Sequence, residues 1–443
     1  MYYIIESKNQ LNYLTENPKE SCFLNLVPLS DNFHPKLSSP CLMYFKPTGD
    51  KAYILCINHP DSFSLDFEDI IELLNKYKTI YCLDKKFHLY FLPHTLNLID
   101  LNFIKLNKDN NIFDLSHVNT KVHSYFNKEF KENFEVNKLI PIPKHFEKYE
   151  NIYGVIKDFI GNEIPTYYDN EYTQVFYDLE KNGIKINPVQ FYKNFDPNVE
   201  EYSVKDDIIY TSYNLYNLTT RPSNVFNNIN FSSLTKDTRI SFIPRNDMFI
   251  EYDYDGYHPR LIGDTVGYKF TDESAHKQLT QLYFPEIDIS GINKELVDIA
   301  KHITFKLLYG NVSDEYSHVE FLQKVNTWID VEWQKFNELG YFTLKDGRRI
   351  YNKNIQNFRK NKLLSWFIQS YETYRNTTVL VKLNNLLATT KSKLVYNMYD
   401  SFLIDFAKSD GRNLLNNIKE TLEVDGFPVK IHYGSNYKEL SII

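Results

Sequence analysis

Residues 248–260 read MFIEYDYDGYHPR, and Asp253 is the position around which the rest of the chain is arranged. The first five positions are apolar apart from Glu251 and rich in β-formers, which predicts a strand. Gly256 breaks it, and residues 258–262 look like the start of a helix. A carboxylate at a strand end, just before a turn, is well placed to hold a metal ion in a cleft. Taken alone it is better read as an edge-strand aspartate facing water. A second stretch far downstream favours the first reading. Residues 394–406, LVYNMYDSFLIDF, are two apolar arms around Tyr399 and Asp400, the pattern of a hairpin with an acid at its tip. Two acids delivered by separate strands can share a pair of divalent cations, an arrangement suited to displacement at phosphorus.

The chain around these stretches has 443 residues, enough for two or three domains with sizeable cores. A hydrophobic fraction of 42% and an aromatic fraction of 16% indicate a folded protein. The net charge of −7 gives no global basic signature, so any affinity for nucleic acid has to come from local patches. All four cysteines (Cys22, Cys41, Cys56 and Cys82) lie in the first fifth of the chain without CxxC spacing. That makes buried free thiols the expectation rather than zinc, and a reducing cytoplasm the compartment. No apolar run approaches the ~20 residues needed to cross a bilayer, and no secretory signal is visible.

Residues 1–115 alternate short apolar runs with turn signals. Residues 21–27, 41–45, 52–57 and 78–83 read as strands, and FEDIIELLNKY at 67–77 has helical spacing, which together suggest a mixed α/β domain. Residues 116–170 are charged and aromatic and read as a helical connector. EYTQVFYDLEKNGIKIN at 171–187 is an amphipathic helix that Gly183 stops before a short strand. The Asn- and Ser-rich stretch at 219–234, TTRPSNVFNNINFSSL, reads as loop; beside a catalytic cleft it could hydrogen-bond a sugar-phosphate backbone.

GINKELVDIAKHITFKLLYG at 291–310 is the second informative helix. Lys294, Lys301, Phe305 and Tyr309 fall at intervals of seven, four and four and line one stripe. Such a stripe can meet phosphates with its cations and stack a base on its rings, although it also fits an amphipathic helix with aromatics in the core. Residues 345–362, KDGRRIYNKNIQNFRKNK, carry seven Lys or Arg and one acid, a solvated basic loop or a phosphate track that includes Arg348 and Arg349. Helical patterning resumes over 366–383.

Together these stretches resemble the polymerase domain of the family A (DNA polymerase I-like) DNA polymerases, over residues 171–443. Asp253 in EYDYDGYHPR is similar to the metal-binding acid of motif A, with Arg260 in its family place. Lys301, Phe305, Tyr309 and Gly310 reproduce motif B, and Asp400 in MYDSF matches the aspartate of motif C. TTRPSN resembles the loop whose arginine, here Arg221, contacts primer, with Asn224 beside it. LKDGRRIY and Gln369 resemble the region between motifs B and C. The resemblance implies an α+β fold: a palm built on an antiparallel sheet, helical fingers, and before them, at 1–115, an α/β RNase H-like exonuclease-type domain. It also implies templated addition of dNTPs to a primer 3′-hydroxyl. Two Mg²⁺ ions, replaceable by Mn²⁺, would be held by Asp253, Asp400 and the carbonyl of Tyr254. Lys301 and Lys294 would meet phosphates, Phe305 and Tyr309 the base pair, His258 the sugar, and Tyr399 with the arginines the DNA.

The departures from the family pattern carry expectations of their own. Motif C has lost its auxiliary acid, since Ser401 follows Asp400; His258 replaces the glutamate at the sugar edge; and Val297 stands where an arginine is usual, so Lys294 is expected to substitute for it. Only residues 187–219 occupy the place of the long helical thumb, so the thumb is expected to be absent or vestigial, with a clamp-like processivity partner in its stead. The exonuclease DxE is missing from CFLNLVPLSDNFHP and His88 stands where a metal-binding acid is usual, which implies no proofreading. A thumb-poor chain of AT-rich composition suggests a phage acting in a bacterial cytoplasm. Two other readings compete: a single-subunit RNA polymerase-like enzyme, and a non-catalytic nucleic-acid-binding relative.

Overall fold

Residues 21–28 and 40–47 contain long apolar runs with little alternation, the pattern of strands covered on both faces. The computed structural model, which describes residues 3–162, 171–195, 204–226, 229–271, 274–309, 316, 318–355 and 358–442, shows why. The chain divides into two compact units, residues 1–216 with 224–233, and residues 217–223 with 234–443.

In the first unit, β1 (Tyr3–Ile5), β2 (Ser21–Pro28), β3 (Pro40–Pro47), β4 (Tyr53–Cys56), β5 (Thr79–Cys82) and β6 (Leu98–Asp100) form one sheet in the order β1-β4-β3-β2-β5-β6. β2–β3 and β3–β4 pair antiparallel, while β1–β4, β2–β5 and β5–β6 pair parallel. On one face Leu24, Leu26, Met43 and Leu55 pack with Leu11 and Leu14 of α1 (Lys8–Glu16) and Ile70, Leu73 and Leu74 of α2 (Phe67–Leu74). On the other, Phe23, Val27, Leu42, Tyr44 and Ile54 meet α3 (Leu101–Asp109) and α4 (Ile142–Ile156). Residues 142–156, which the sequence suggests as part of a connector, are therefore a layer of this unit. The four cysteines are buried and form no disulfide.

α5 (Thr173–Asn182) ends at Gly183, whose φ of +60° and lack of a side chain allow the chain to turn sharply; a Cβ there would lie 2.5 Å from Ile208. Residues 223–230 are a correction to the sequence reading. The expected loop contains a hairpin, Ser223–Phe226 paired antiparallel with Ile229–Asn230. Asn-rich strands this short carry too little apolar alternation to be seen in sequence.

The second unit is built on β7 (Met248–Tyr254), β8 (Lys393–Met398), β9 (Ser401–Phe406), β10 (Val429–Gly434) and β11 (Ser441–Ile442). They form an antiparallel sheet in the order β8-β9-β7-β10-β11. Its longer helices are α6 (Tyr257–Val266), α7 (Ala275–Tyr283), α8 (Lys294–Tyr309), α9 (Glu320–Leu339), α10 (Lys362–Leu387) and α11 (Arg412–Leu422). Alternation along β7 sends Ile250, Tyr252 and Tyr254 to one face. There the tyrosine hydroxyls donate to backbone carbonyls of α11, Tyr252 to Leu415 at 3.0 Å and Tyr254 to Leu422 at 2.7 Å. The opposite face carries Glu251 and Asp253, which are only half-buried. The basic stretch at 345–362 contributes one strand of a further hairpin, Arg349–Tyr351 paired with Tyr341–Thr343, packed into an aromatic cluster around Phe336, Trp333 and Phe358. Among the described residues no helix is long and apolar enough to cross a membrane.

Candidate active site

The turn after β7 needs a residue that tolerates positive φ. Gly256 has φ +60°, and a Cβ there would fall 2.8 Å from the Cβ of Ala275, so the sequence can cross from strand to α6 only with glycine. Antiparallel pairing sets Asp253 directly opposite Ser401 on β9, one residue past the tip of the β8–β9 hairpin. The Tyr254 N–H donates to the carbonyl of Asp400 at 3.0 Å and locks the tip against the strand end. Tyr399 makes the tip possible by adopting φ +58°, and its carbonyl accepts from the Asn376 amide on α10. Local strand chemistry thus delivers two acids to one place.

Asp253, Tyr254, Asp400, His258, Arg221 and Tyr399 line a cavity of about 440 Å³, with Lys301 and Phe305 from α8 on its wall. That volume lies within the range of small-molecule sites. Lys301 and Phe305, one helical turn apart, are both substantially exposed, Phe305 to 40%. Lys301 lies 3.7 Å from Asp298, one turn earlier on its own helix. α8 is fixed from behind by a hydroxyl pair, Thr304 to Tyr283 on α7, at 2.9 Å.

The charge distribution in the cavity is unbalanced. Burial, the neighbouring Asp400 and then Glu251 push the Asp253 carboxyl up to about 7, with Lys430 opposing them. Burial and then Glu372 push Asp400 up to about 6. Both acids therefore hold their negative charge with difficulty, the condition a divalent cation relieves. Asp255 behaves oppositely. Burial works against its charge, but Lys430, the Ala275 N–H and Arg260 outweigh it and hold its carboxyl below the usual range. Asp255 also accepts from Ser274 at 3.3 Å and from the Ala275 N–H at 3.2 Å, so it anchors the first turn of α7. His276 on that helix also lines the cavity, its ring lowered to about 4 by burial and by Lys301.

The remaining sequence-predicted residues are distributed differently. Lys294 lies two turns before Lys301, about 10 Å along the helix, and borders a separate shallow surface with Ile299 and His302. Tyr309 ends α8, and Gly310 lies outside the described residues. Arg260 is buried, donating to the carbonyls of Asp255 at 2.9 Å and Thr271 at 3.0 Å. Arg348 is buried against Asp346 and donates to the carbonyl of Leu218. Arg349 is exposed, its guanidinium over the Tyr341 ring at 4.4 Å. Gln369 accepts from the Thr219 hydroxyl at 2.8 Å and donates to Ser365 at 3.2 Å. Asn224 is buried in the first unit, where its amide donates to Thr211 at 3.1 Å, and is not among the cavity residues.

Sequence reasoning missed Glu251, Asp255, His276, Glu372 and Lys430. Glu251 shares the Asp253 face of β7 and accepts from the Ser401 hydroxyl at 3.0 Å, so an acid stands beside the position where motif C lacks one. Its signal was a second acid two positions before Asp253 in an otherwise apolar strand. Glu372 lies three residues after Gln369, on the same helical stripe.

No protein-family model and no curated protein matches the sequence. Among solved structures, the polymerase domain of Pol1 from M. smegmatis, in complex with DNA primer-template and dNTP, matches with a TM-score of 0.69 at 10% identity, over 99% of each chain. The α+β fold expected from the sequence, that of a family A polymerase domain, is the fold observed.

Proposed function

We propose that the chain carries out template-directed DNA synthesis, adding dNTPs to a primer 3′-hydroxyl by two-metal-ion nucleotidyl transfer without proofreading. The observation that carries this is the meeting of Asp253 and Asp400, each with its charge destabilised, in one cavity with Lys301 and Phe305. The donor set fits Mg²⁺, which is commonly held by one or two carboxylates and completed by substrate phosphates and water rather than by a full protein cage. Asp253, Asp400 and the Tyr254 carbonyl would hold the ions. When bound, they would supply charge neutralisation on the triphosphate and acidify the primer hydroxyl.

The protein's own groups would do the rest. Lys301 would pair with the phosphates and Phe305 would stack on the incoming base, a contact worth about 1–3 kcal/mol. His258 would stand under the sugar. Arg221, its guanidinium 3.5 Å above the Tyr399 ring, would present the hairpin tip to the primer end. The first unit would serve without nuclease chemistry. His88 is closed at both nitrogens, Nδ1 donating to the Asp84 carbonyl at 2.6 Å and Nε2 accepting the Leu26 N–H at 3.2 Å. The Asp84 side chain accepts the Phe87 N–H, and that of Asp100 the N–H groups of Lys85 and Asn102 and the Tyr216 hydroxyl.

Primer extension with Mg²⁺ or Mn²⁺ tests the proposal. Wild type should extend a primer with dNTPs in preference to rNTPs and leave a mismatched 3′ end unresected. Asp253→Asn and Asp400→Asn should each lower the rate by about 10²-fold or more, since each removes a metal-holding charge. A preference for rNTPs would favour an RNA polymerase. Absence of extension by wild type would favour a nucleic-acid-binding role.

A further inference from the structure

Glu372 is a full carboxylate at the bottom of the cavity and 1% exposed. It is carried by α10, a 26-residue helix on which Gln369, Glu372 and Asn376 share one stripe. A guanidinium and an imidazole converge on it. Arg221 Nε lies 2.6 Å from Oε2, and its Nη2 donates to Oε1 at 3.5 Å. His258 Nε2 lies 3.2 Å from Oε1. Burial works against the charge of this carboxyl, yet His258 and Arg221 together hold it below the usual glutamate range. An ionised, buried acid is thereby shared between the residue proposed to face the sugar and the residue proposed to face the primer.

The chemistry of this arrangement is specific. An imidazole whose Nε2 is held by a buried carboxylate is restricted to one ring orientation, as ligand histidines are by the carboxylates behind them. A ring held in this way keeps its volume in one place, which an exclusion surface for a hydroxyl requires; a ring released from its partner can rotate aside. The carboxylate near it in sequence, Asp255, is engaged instead by Lys430 and the start of α7.

We infer that Glu372 is a specificity-determining positioning residue: by holding the His258 ring, it makes exclusion of the nucleotide 2′-hydroxyl depend on a carboxylate carried by α10. This inference rests on the polymerase reading above and adds to it the origin of sugar selection. Glu372 acts through His258 and Arg221.

The test is a double-mutant cycle read as the ratio of kcat/KM for a dNTP to that for the matching rNTP, a quantity that does not depend on the fraction of protein folded. Glu372→Ala and His258→Ala should each lower that ratio by about tenfold or more, the scale of a lost hydrogen bond to a charged group. The double variant should be no worse than His258→Ala alone, because the two residues act as one unit. Glu372→Gln, which keeps shape and a hydrogen-bonding oxygen, should restore part of the selectivity, with the change appearing in the KM for rNTP. It also serves as the reporter if Glu372→Ala does not fold, and wild-type selectivity in Glu372→Gln would then overturn the inference. So would Glu372→Ala keeping wild-type selectivity, or additive losses in the double variant. If wild type extends no primer at all, the polymerase reading fails, and the inference with it; loss of coupling in an active enzyme removes the inference alone.

Discussion

Asp253 and Asp400 tie the chemistry of the cavity to the stability of the protein. A carboxyl whose folded pKa is raised binds a proton in the native state that the unfolded chain has already released, so stability falls as pH climbs through the interval between the two values. Here the interval runs from the ordinary 3.8 to about 7 for Asp253 and about 6 for Asp400. Metal-free protein should therefore lose stability between about pH 4 and pH 7, as followed by thermal melts in chelator. Asp253→Asn or Asp400→Asn should stabilise the metal-free form at pH 7.5 by roughly 1–3 kcal/mol and have no such effect below pH 4. Added Mg²⁺ should raise the melting temperature of wild type more at pH 8 than at pH 6, since ions and protons compete for the same oxygens. A metal-free wild type that gains stability across this interval would contradict the assignment of charge repulsion to these two side chains.

At the scale of elements, the strand–turn–helix of β7 and α6 depends on one backbone conformation. Gly256→Ala would place a methyl group 2.8 Å from the Ala275 Cβ at a φ of +60°, with no flexible side chain available to yield. The expected cost is about 1–3 kcal/mol in denaturant melts, with reduced primer extension because α6 and α7 both start near this turn. Unchanged stability would show that the turn has an alternative geometry. This element was legible in sequence because strand, glycine and helix signals succeed one another within 13 residues. The β8–β9 hairpin and the helix α8 were legible for the same reason: each is a local period in the sequence. The hairpin at 223–230 was not, lacking apolar alternation. Glu372 was hidden for a different reason. Its helix was foreseen, but its partners His258 and Arg221 lie 114 and 151 positions away, and no local pattern encodes a contact at that range. Arg260 and Arg348 show the converse: arginines that a motif or a basic run offers to DNA are occupied by carbonyls and carboxylates of the fold.

For the whole molecule, the question is what would hold a duplex long enough for repeated addition. Between Ile186 and Thr220, where the resemblance to family A polymerases would place a helical thumb, the described residues form one seven-residue helix, Pro188–Asn194, and short strands including Val204–Lys205, Ile208–Ile209 and Tyr213–Asn214. Helices long enough to follow a duplex groove are not among them. Nor does bulk charge compensate, since a net charge of −7 repels a polyanion at long range and leaves binding to a few local cations. A complex that rests on few phosphate contacts dissociates readily, and its affinity falls along a shallow salt slope, because that slope counts the neutralised phosphates. The isolated chain should therefore release primer after a few additions when a trap of excess unlabelled DNA prevents rebinding. Shortening of products with added salt should be modest compared with an enzyme that makes 6–10 phosphate contacts, for which about 10³–10⁵ in affinity is lost between 50 and 200 mM. A clamp-like partner, if one completes the enzyme, should lengthen products in that trap without changing the rate of the first addition. Long products from single encounters of the chain alone would place the grip on DNA elsewhere in these two units and remove the need for such a partner.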